Sequence, residues 1–155
     1  MDRICAQALE IKSQGYNCAQ AVLGALAPLV SIDKKDAMIM MAAFGGGMRH
    51  QQLCGAVLAA GMAIGHKYGV PEADRQADKK LEAFILEFIN EFSRRNGTTV
   101  CKELLDNELT AFTCDFEVES QSKDPENPYN IKAPICGRAI TDAVDIAAEI
   151  LRKGS

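Results

Sequence analysis

The chain has 155 residues, 48% of them hydrophobic and 25% charged, which is typical of one globular domain with a single core. A net charge of −4, the lack of tryptophan and an aromatic content of 6% argue against binding nucleic acid, whether by a basic surface or by base stacking. The N-terminus from Met1 to Cys5 lacks the charged-then-apolar pattern of a signal peptide, so we expect a cytoplasmic protein whose thiols stay reduced.

The N-terminal third of the chain predicts three helices. The first runs from Asp2 to about Gln14 and ends before Gly15. Asn17 is a good N-cap for a second helix, and the almost wholly apolar segment from Cys18 to Val30 indicates that this helix is buried. Ser31 or Asp33 caps a third helix, which we expect to continue to Phe44.

The middle of the chain predicts the central helix of the domain. No residue from His50 to His66 carries a formal charge, and Cys54 lies in this stretch. The stretch is rich in alanine and glycine and is shorter than the roughly 20 apolar residues that a membrane span needs. We therefore predict a buried helix and no membrane association.

The C-terminal half predicts a long amphipathic helix, a short helix and a final helix. The long helix opens at Pro71 and Glu72 and closes at Asn96-Gly97, and Thr98 caps the short helix, with Cys101 at about its third position. Residues 115–134 contain three prolines and predict a long irregular loop, which we expect to cover the cysteine site. Pro134 suits the first position of the last helix, whose polar stripe of Asp142, Asp145 and Glu149 predicts a solvated face.

These elements predict an all-α protein: a single domain of residues 1–155, folded as a compact bundle of about six helices. The methionines of the third helix predict packing in the core or at a homodimer interface. They are Met38, Met40 and Met41.

Four of the six cysteines fall at predicted helix starts. A helix N-terminus presents unpaired N–H groups and partial positive charge, which stabilise a thiolate and lower its pKa. No Cys-x-x-Cys pair is present, so a shared site must be assembled by folding. The four cysteines are Cys18, Cys54, Cys101 and Cys136.

The residues leave several kinds of chemistry open for these four thiols. Four thiolates match the ligand count of an iron–sulfur cluster or another metal, and two of them could instead cycle through a disulfide. Structural zinc is disfavoured by the long spacing, and buried structural cysteines are the remaining alternative. His50, four residues before Cys54, is a candidate additional ligand. The Gly45, Gly46 and Gly47 run predicts a tight turn that brings backbone close to a thiolate or cluster.

The order of these motifs resembles a family of redox-active proteins named after the cysteine pattern C…GCAxxG…C…C. The matching stretches include Gly15-Tyr16-Asn17-Cys18-Ala19, Phe44-Gly45-Gly46-Gly47-Met48, Cys54-Gly55-Ala56-Val57, Cys101-Lys102-Glu103-Leu104 and Cys136. The resemblance implies that Cys18, Cys54, Cys101 and Cys136 are the family's cysteines, with Cys5 and Cys114 outside the pattern. It also implies a redox role, since a similar module beside haem domains in some anaerobic cytochromes implies an iron–sulfur centre.

The sequence therefore predicts a redox-active protein whose four cysteines hold an iron–sulfur cluster or another metal for electron transfer or redox sensing. A thiol–disulfide oxidoreductase and a non-catalytic helical domain are the alternatives. The predicted partner is a redox protein, which the sequence does not identify.

Overall fold

A computed structural model gives the structure of residues 2–106 and 133–154. Cys114 and most of the predicted irregular loop, residues 115–132, lie outside these ranges. The expectation that this loop covers the cysteine site therefore stays a prediction.

The protein is all-α, as predicted. The described residues form seven α-helices, and none of these is both long and apolar enough to cross a membrane. The helices are α1 (Arg3–Ser13), α2 (Cys18–Leu26), α3 (Lys34–Met40), α4 (Gly55–Tyr68), α5 (Arg75–Asn96), α6 (Cys101–Asp106) and α7 (Ala133–Arg152).

Side-chain caps explain where several of these helices begin. The Asn17 side chain accepts a hydrogen bond from the Gln20 N–H, and the Gln20 side chain accepts one from the Asn17 N–H, which forms a capping box at the start of α2. The Asp74 side chain accepts hydrogen bonds from the Gln76 and Ala77 N–H groups, so α5 begins at Arg75 and the predicted start at Pro71 is wrong. The third helix ends at Met40, before the predicted Phe44.

The core is built around α2 and α4, both of which are buried along most of their length. Helix α2 packs against α1, α3, α4 and α7, and α4 packs against α2, α5 and α7. From α5, Phe88 and Phe92 are fully buried against this core. The predictions that the second helix is buried and that the uncharged stretch after His50 forms a central helix are confirmed, although that helix begins only at Gly55.

A charged network joins the end of α5 to the middle of α7. The Arg95 guanidinium lies 3.3 Å from an Asp142 carboxylate oxygen and 2.8 Å from one of Asp145. Asn96 donates to Asp142 over 3.0 Å, and Arg138 donates to the Arg95 carbonyl over 2.7 Å. The predicted solvated stripe is thus wrong for Asp142 and Asp145, which fix α7 against α5.

Candidate functional site

The four family-pattern cysteines line one cavity, although they are far apart in the sequence. Cys18, Cys54, Cys101 and Cys136 all contribute to the wall of a space of about 90 Å³, which we call the thiol cavity. Cys54 and Cys101 are buried, whereas Cys18 and Cys136 are partly exposed. The remaining described wall is formed by Lys12, Asn17, Gly45, Gly46, Arg49, Leu104, Leu105, Ile135 and Ala139.

Each of these cysteines lies at or beside a helix start. Cys18 and Cys101 are the first residues of α2 and α6, and Cys136 is the fourth residue of α7. Cys54 is the N-cap residue that immediately precedes α4, so it lies one position before the observed helix, whereas the sequence predicts it within the helix. Four different helices therefore supply the four thiols.

A single β-bridge places Cys54 beside Cys101. Leu53 and Val100 pair in antiparallel orientation. The Cys54 N–H donates to the Thr99 carbonyl over 2.8 Å, and the Cys101 N–H donates to the Gln52 carbonyl over 2.6 Å. These two reciprocal hydrogen bonds hold two cysteine backbones without any contribution from their sulfur atoms.

A left-handed turn precedes this bridge and borders the cavity. Gly46, Gly47, Met48 and Arg49 all have φ between 56° and 63°, a conformation that L residues other than glycine rarely adopt. A Cβ added at Gly47 would lie 2.7 Å from the Cys101 Cβ. Gly47 therefore lets the backbone approach the Cys101 side chain closely.

Gly55 is a site residue whose role the sequence analysis did not identify. A Cβ added there would lie 2.7 Å from the Cys18 Sγ and 2.6 Å from the Phe44 carbonyl oxygen. The Cys18 sulfur thus occupies the space beside the start of α4 that any larger residue would fill. The glycine directly after Cys54 was the available signal, but only tertiary packing shows what it accommodates.

The start of α2 is tied to the chain segment before the glycine run. The Asn17 amide donates to the Ala42 carbonyl over 3.0 Å and more distantly to the Met41 carbonyl at 3.4 Å. Gly45 packs so closely on Asn17 that a side chain at 45 would overlap it. Asn17 therefore both caps the Cys18 helix and fixes its position at the cavity.

The pKa of the Cys54 thiol is raised, whereas a cysteine at a helix start is expected to have a lowered pKa. Burial raises the pKa of its thiol, and the nearby Cys18 raises it further. The N–H groups of Val57 and Ala56 act in the opposite direction, but neither makes a capping hydrogen bond with the sulfur. A lowered pKa was wrong for Cys54, because desolvation outweighs the helix N-terminus.

Two further candidates lie away from the thiol cavity. Cys5 is buried and its thiol lies 3.6 Å from the Thr141 carbonyl oxygen. Burial, together with Asp145 and Asp2, raises the pKa of Cys5 to about 11. His50, the candidate additional ligand, is exposed and does not line the cavity.

The chemistry of the thiol cavity decides which groups it could hold. Four cysteine thiols match in kind and number the ligands of an iron–sulfur cluster. Among the described residues, no three histidine, cysteine, aspartate or glutamate side chains are grouped so that they could hold a metal ion. Gly47 and Gly55 bring backbone into close contact with two of the cysteines.

The fold and the cavity describe an all-α protein with a four-cysteine centre. The chain belongs to the family described as "Putative redox-active protein (C_GCAxxG_C_C)", whose model matches residues 16–150 and so includes all four cysteines of the cavity. No curated protein and no solved structure was found to match the chain.

Proposed function

We propose that this protein holds an iron–sulfur cluster in the thiol cavity and serves in electron transfer or redox sensing in the cytoplasm. Cys18, Cys54, Cys101 and Cys136 would be the four ligands. A separate redox protein would supply or accept the electron. The single observation that carries the proposal is that these four cysteines, from four helices, line one cavity.

The surroundings of the cysteines support this assignment in two ways. Peptide N–H groups at the starts of α2 and α6 favour negative charge, which four thiolates and a cluster would bring. The apolar wall of Leu104, Leu105 and Ile135 lowers the access of water, which protects a cluster and influences its potential.

A bound cluster would supply reversible one-electron chemistry, and the protein's part would be to position and shield it. The left-handed turn and the Leu53–Val100 bridge would fix the backbone of Cys54 and Cys101, two of the four proposed ligands. Asn17 fixes the third, and the network around Asp142 fixes the helix that carries the fourth.

Anaerobic purification followed by iron and sulfide analysis tests the proposal. Protein reconstituted with iron and sulfide should be brown and show charge-transfer absorption that bleaches on reduction. Separate Cys→Ala variants at the four positions should each lose most of the iron. Cys5→Ala is the matched control, since Cys5 is also buried but lies outside the cavity, and it should retain the iron.

One contact favours a second candidate, a thiol–disulfide oxidoreductase. The Cys18 Sγ lies against Gly55, the residue after Cys54, and the charge of Cys18 contributes to the raised Cys54 pKa. These two thiols could close to a disulfide, releasing two electrons and two protons to an oxidised partner disulfide.

Mild oxidation of metal-free protein separates the two candidates. Under the oxidoreductase hypothesis, a Cys18–Cys54 disulfide forms reversibly, and the protein reduces a model disulfide in a reaction that needs both residues. Under the cluster hypothesis, iron binding needs all four cysteines and blocks their alkylation. A colourless protein with a reversible Cys18–Cys54 disulfide would replace the first proposal by the second.

A further inference from the structure

Two cations border the thiol cavity without a carboxylate beside them. Lys12 and Arg49 line the cavity, and its described wall contains no aspartate or glutamate. Neither cation forms an ion pair with any residue in ranges 2–106 and 133–154, whereas Arg94, Arg95 and Arg138 all pair with carboxylates. In a chain of net charge −4, these two positive charges lie at a cavity whose described wall carries no carboxylate.

Hydrogen bonds hold both cations beside the start of the Cys18 helix. The Arg49 guanidinium donates to the Ala42 carbonyl over 2.9 Å, and the Asn17 amide donates to the same oxygen over 3.0 Å. The Lys12 ammonium donates to the Tyr16 carbonyl over 3.3 Å. Both positive charges are therefore fixed next to the two residues that precede Cys18.

The backbone at Arg49 is itself strained. Its φ is 56° and its ψ is 17°, a left-handed conformation that a non-glycine residue rarely adopts. Strain of this kind persists where the surrounding structure overdetermines it, and it clusters at functional sites. Here the strained turn directs an arginine toward a cavity lined by thiols.

We propose that Arg49 and Lys12 make the Cys18 side of the thiol cavity electropositive and so tune it for negatively charged sulfur. The inference rests on the proposed function for its redox consequence. With a cluster held by four thiolates, these cations stabilise the added electron and raise the reduction potential. In metal-free protein, they favour the approach of an anionic reagent to Cys18.

A pair of alkylating reagents tests the electrostatic potential at Cys18 in the metal-free, reduced protein. Iodoacetate is an anion and iodoacetamide is neutral, and the ratio of their rates at one thiol cancels the thiolate fraction. For Cys18, read by mass spectrometry, Arg49→Gln and Lys12→Gln should each lower this ratio by about two- to fivefold, the effect of one nearby charge. Arg49→Lys should largely preserve the ratio, which separates charge from shape.

Lys67→Gln is the matched control for loss of one positive charge. Lys67 lies twelve residues beyond Gly55 in α4, about 18 Å along the helix and beyond the screening length at physiological salt. Its removal should leave the ratio unchanged. The proposal that the Cys18 side of the thiol cavity is electropositive would be overturned by one result. That result is an equal ratio of iodoacetate to iodoacetamide rates in wild type, Arg49→Gln and Lys12→Gln, in variants that unfold like wild type.

Reconstituted protein supplies the second measurement. Measured on the iron-loaded fraction, Arg49→Gln should show a more negative reduction potential than wild type, whereas Lys67→Gln should not. Iron binding with an unchanged potential in Arg49→Gln would overturn the tuning and leave the proposed function standing. Failure of wild type to bind iron would remove the proposed function. The alkylation ratio alone would then decide whether the Cys18 side of the thiol cavity is electropositive.

Discussion

Leu53 and Val100 form an antiparallel β-bridge that places two cysteine-bearing helix starts side by side. Each bridge residue is followed directly by a cysteine of the cavity, Cys54 or Cys101. The bridge is closed by two backbone hydrogen bonds, and the left-handed turn at Gly47 packs directly against it. Backbone pairing thus sets the spacing of the Cys54 and Cys101 backbones.

Gly47→Ala should destabilise the fold through this bridge. An added Cβ would lie 2.7 Å from the Gln52 nitrogen and from the Cys101 Cβ, at a φ of +63°. We expect the free energy of unfolding to fall by about 2–4 kcal/mol, the sum of left-handed strain and overpacking, as measured by urea denaturation.

Gly15→Ala is the control for strain alone. Gly15 also has a positive φ, +96°, but nothing lies within 4 Å of the position of its added Cβ. Gly15→Ala should lower the free energy of unfolding clearly less than Gly47→Ala does. An equal fall in the free energy of unfolding for the two variants would show that contact with the bridge does not contribute to the effect of Gly47→Ala.

The close contact between Gly55 and Cys18 predicts that alanine substitution has opposite effects on stability at Gly55 and at Gly65. Gly55→Ala should cost about 1–3 kcal/mol and displace the Cys18 thiol, because the new methyl group would lie 2.7 Å from its Sγ. Gly65→Ala, in the same helix with open space around its Cβ position, should instead stabilise by about 0.5–1 kcal/mol. Thermal or urea unfolding of the two variants measures both signs.

Iron loading extends the same test. Gly55→Ala should take up less iron on reconstitution than Gly65→Ala. If Gly55→Ala folds with wild-type stability and loads normally, the close approach of Cys18 to α4 is not needed for the site.

Local signals in the sequence were sufficient to predict most of the fold. Asn17 is an N-cap with Gln20 three residues later, and both the cap and the helix start at Cys18 agree with the structure. The end of the long helix at Asn96-Gly97 was also predictable, since Gly97 adopts the left-handed conformation that ends helices. At the other end of that helix, the Asp74 cap determines the start, and Pro71 was a misleading signal.

Long-range features of the site could not be predicted from spacing. Sequence reasoning placed four thiols at helix starts, but it did not show that burial would raise the Cys54 pKa. Nor did it show that Asp142 and Asp145 pair with Arg95, forty-seven or more residues earlier in the chain. Both depend on which helices pack together, which the periodicity of one helix does not specify.

Asn17 should be worth more to stability than an ordinary helix cap. Asn17→Ala removes the capping oxygen, at about 1 kcal/mol, and also the amide donor to the Ala42 carbonyl, at about 1 kcal/mol more. Asp33→Ala removes only the cap of α3 and should cost about 1 kcal/mol. Asn17→Asp keeps the cap oxygen and should fall between the two. Equal losses for the alanine variants in urea denaturation would contradict the double role.

Alkylation of reduced, metal-free protein should rank the thiols by exposure and pKa. Cys18 is partly exposed, whereas Cys54 is buried with a raised pKa, so Cys18 should be labelled much faster near neutral pH. The pKa of Cys5, raised from 9.0 to about 11, leaves it about a hundredfold less thiolate than an unperturbed cysteine. In urea all rates should converge. Labelling of Cys54 as fast as Cys18 in the folded state would contradict the burial of Cys54.

The acid stability of the fold should depend in part on Glu91. Arg94 and Arg95 hold its carboxylate and lower its pKa from 4.5 to about 2. Because the folded pKa lies below the unfolded one, the contribution is complete above about pH 4.5 and is lost as pH falls toward 2. Glu91→Gln should therefore flatten the fall in the free energy of unfolding across this window, measured by urea denaturation at several pH values.

Glu82→Gln is the control. Glu82 is an exposed residue of the same helix and forms no ion pair among the described residues, so its substitution should leave the slope as in wild type. Identical slopes for wild type and Glu91→Gln would show that the ion pairs of Glu91 do not persist in solution.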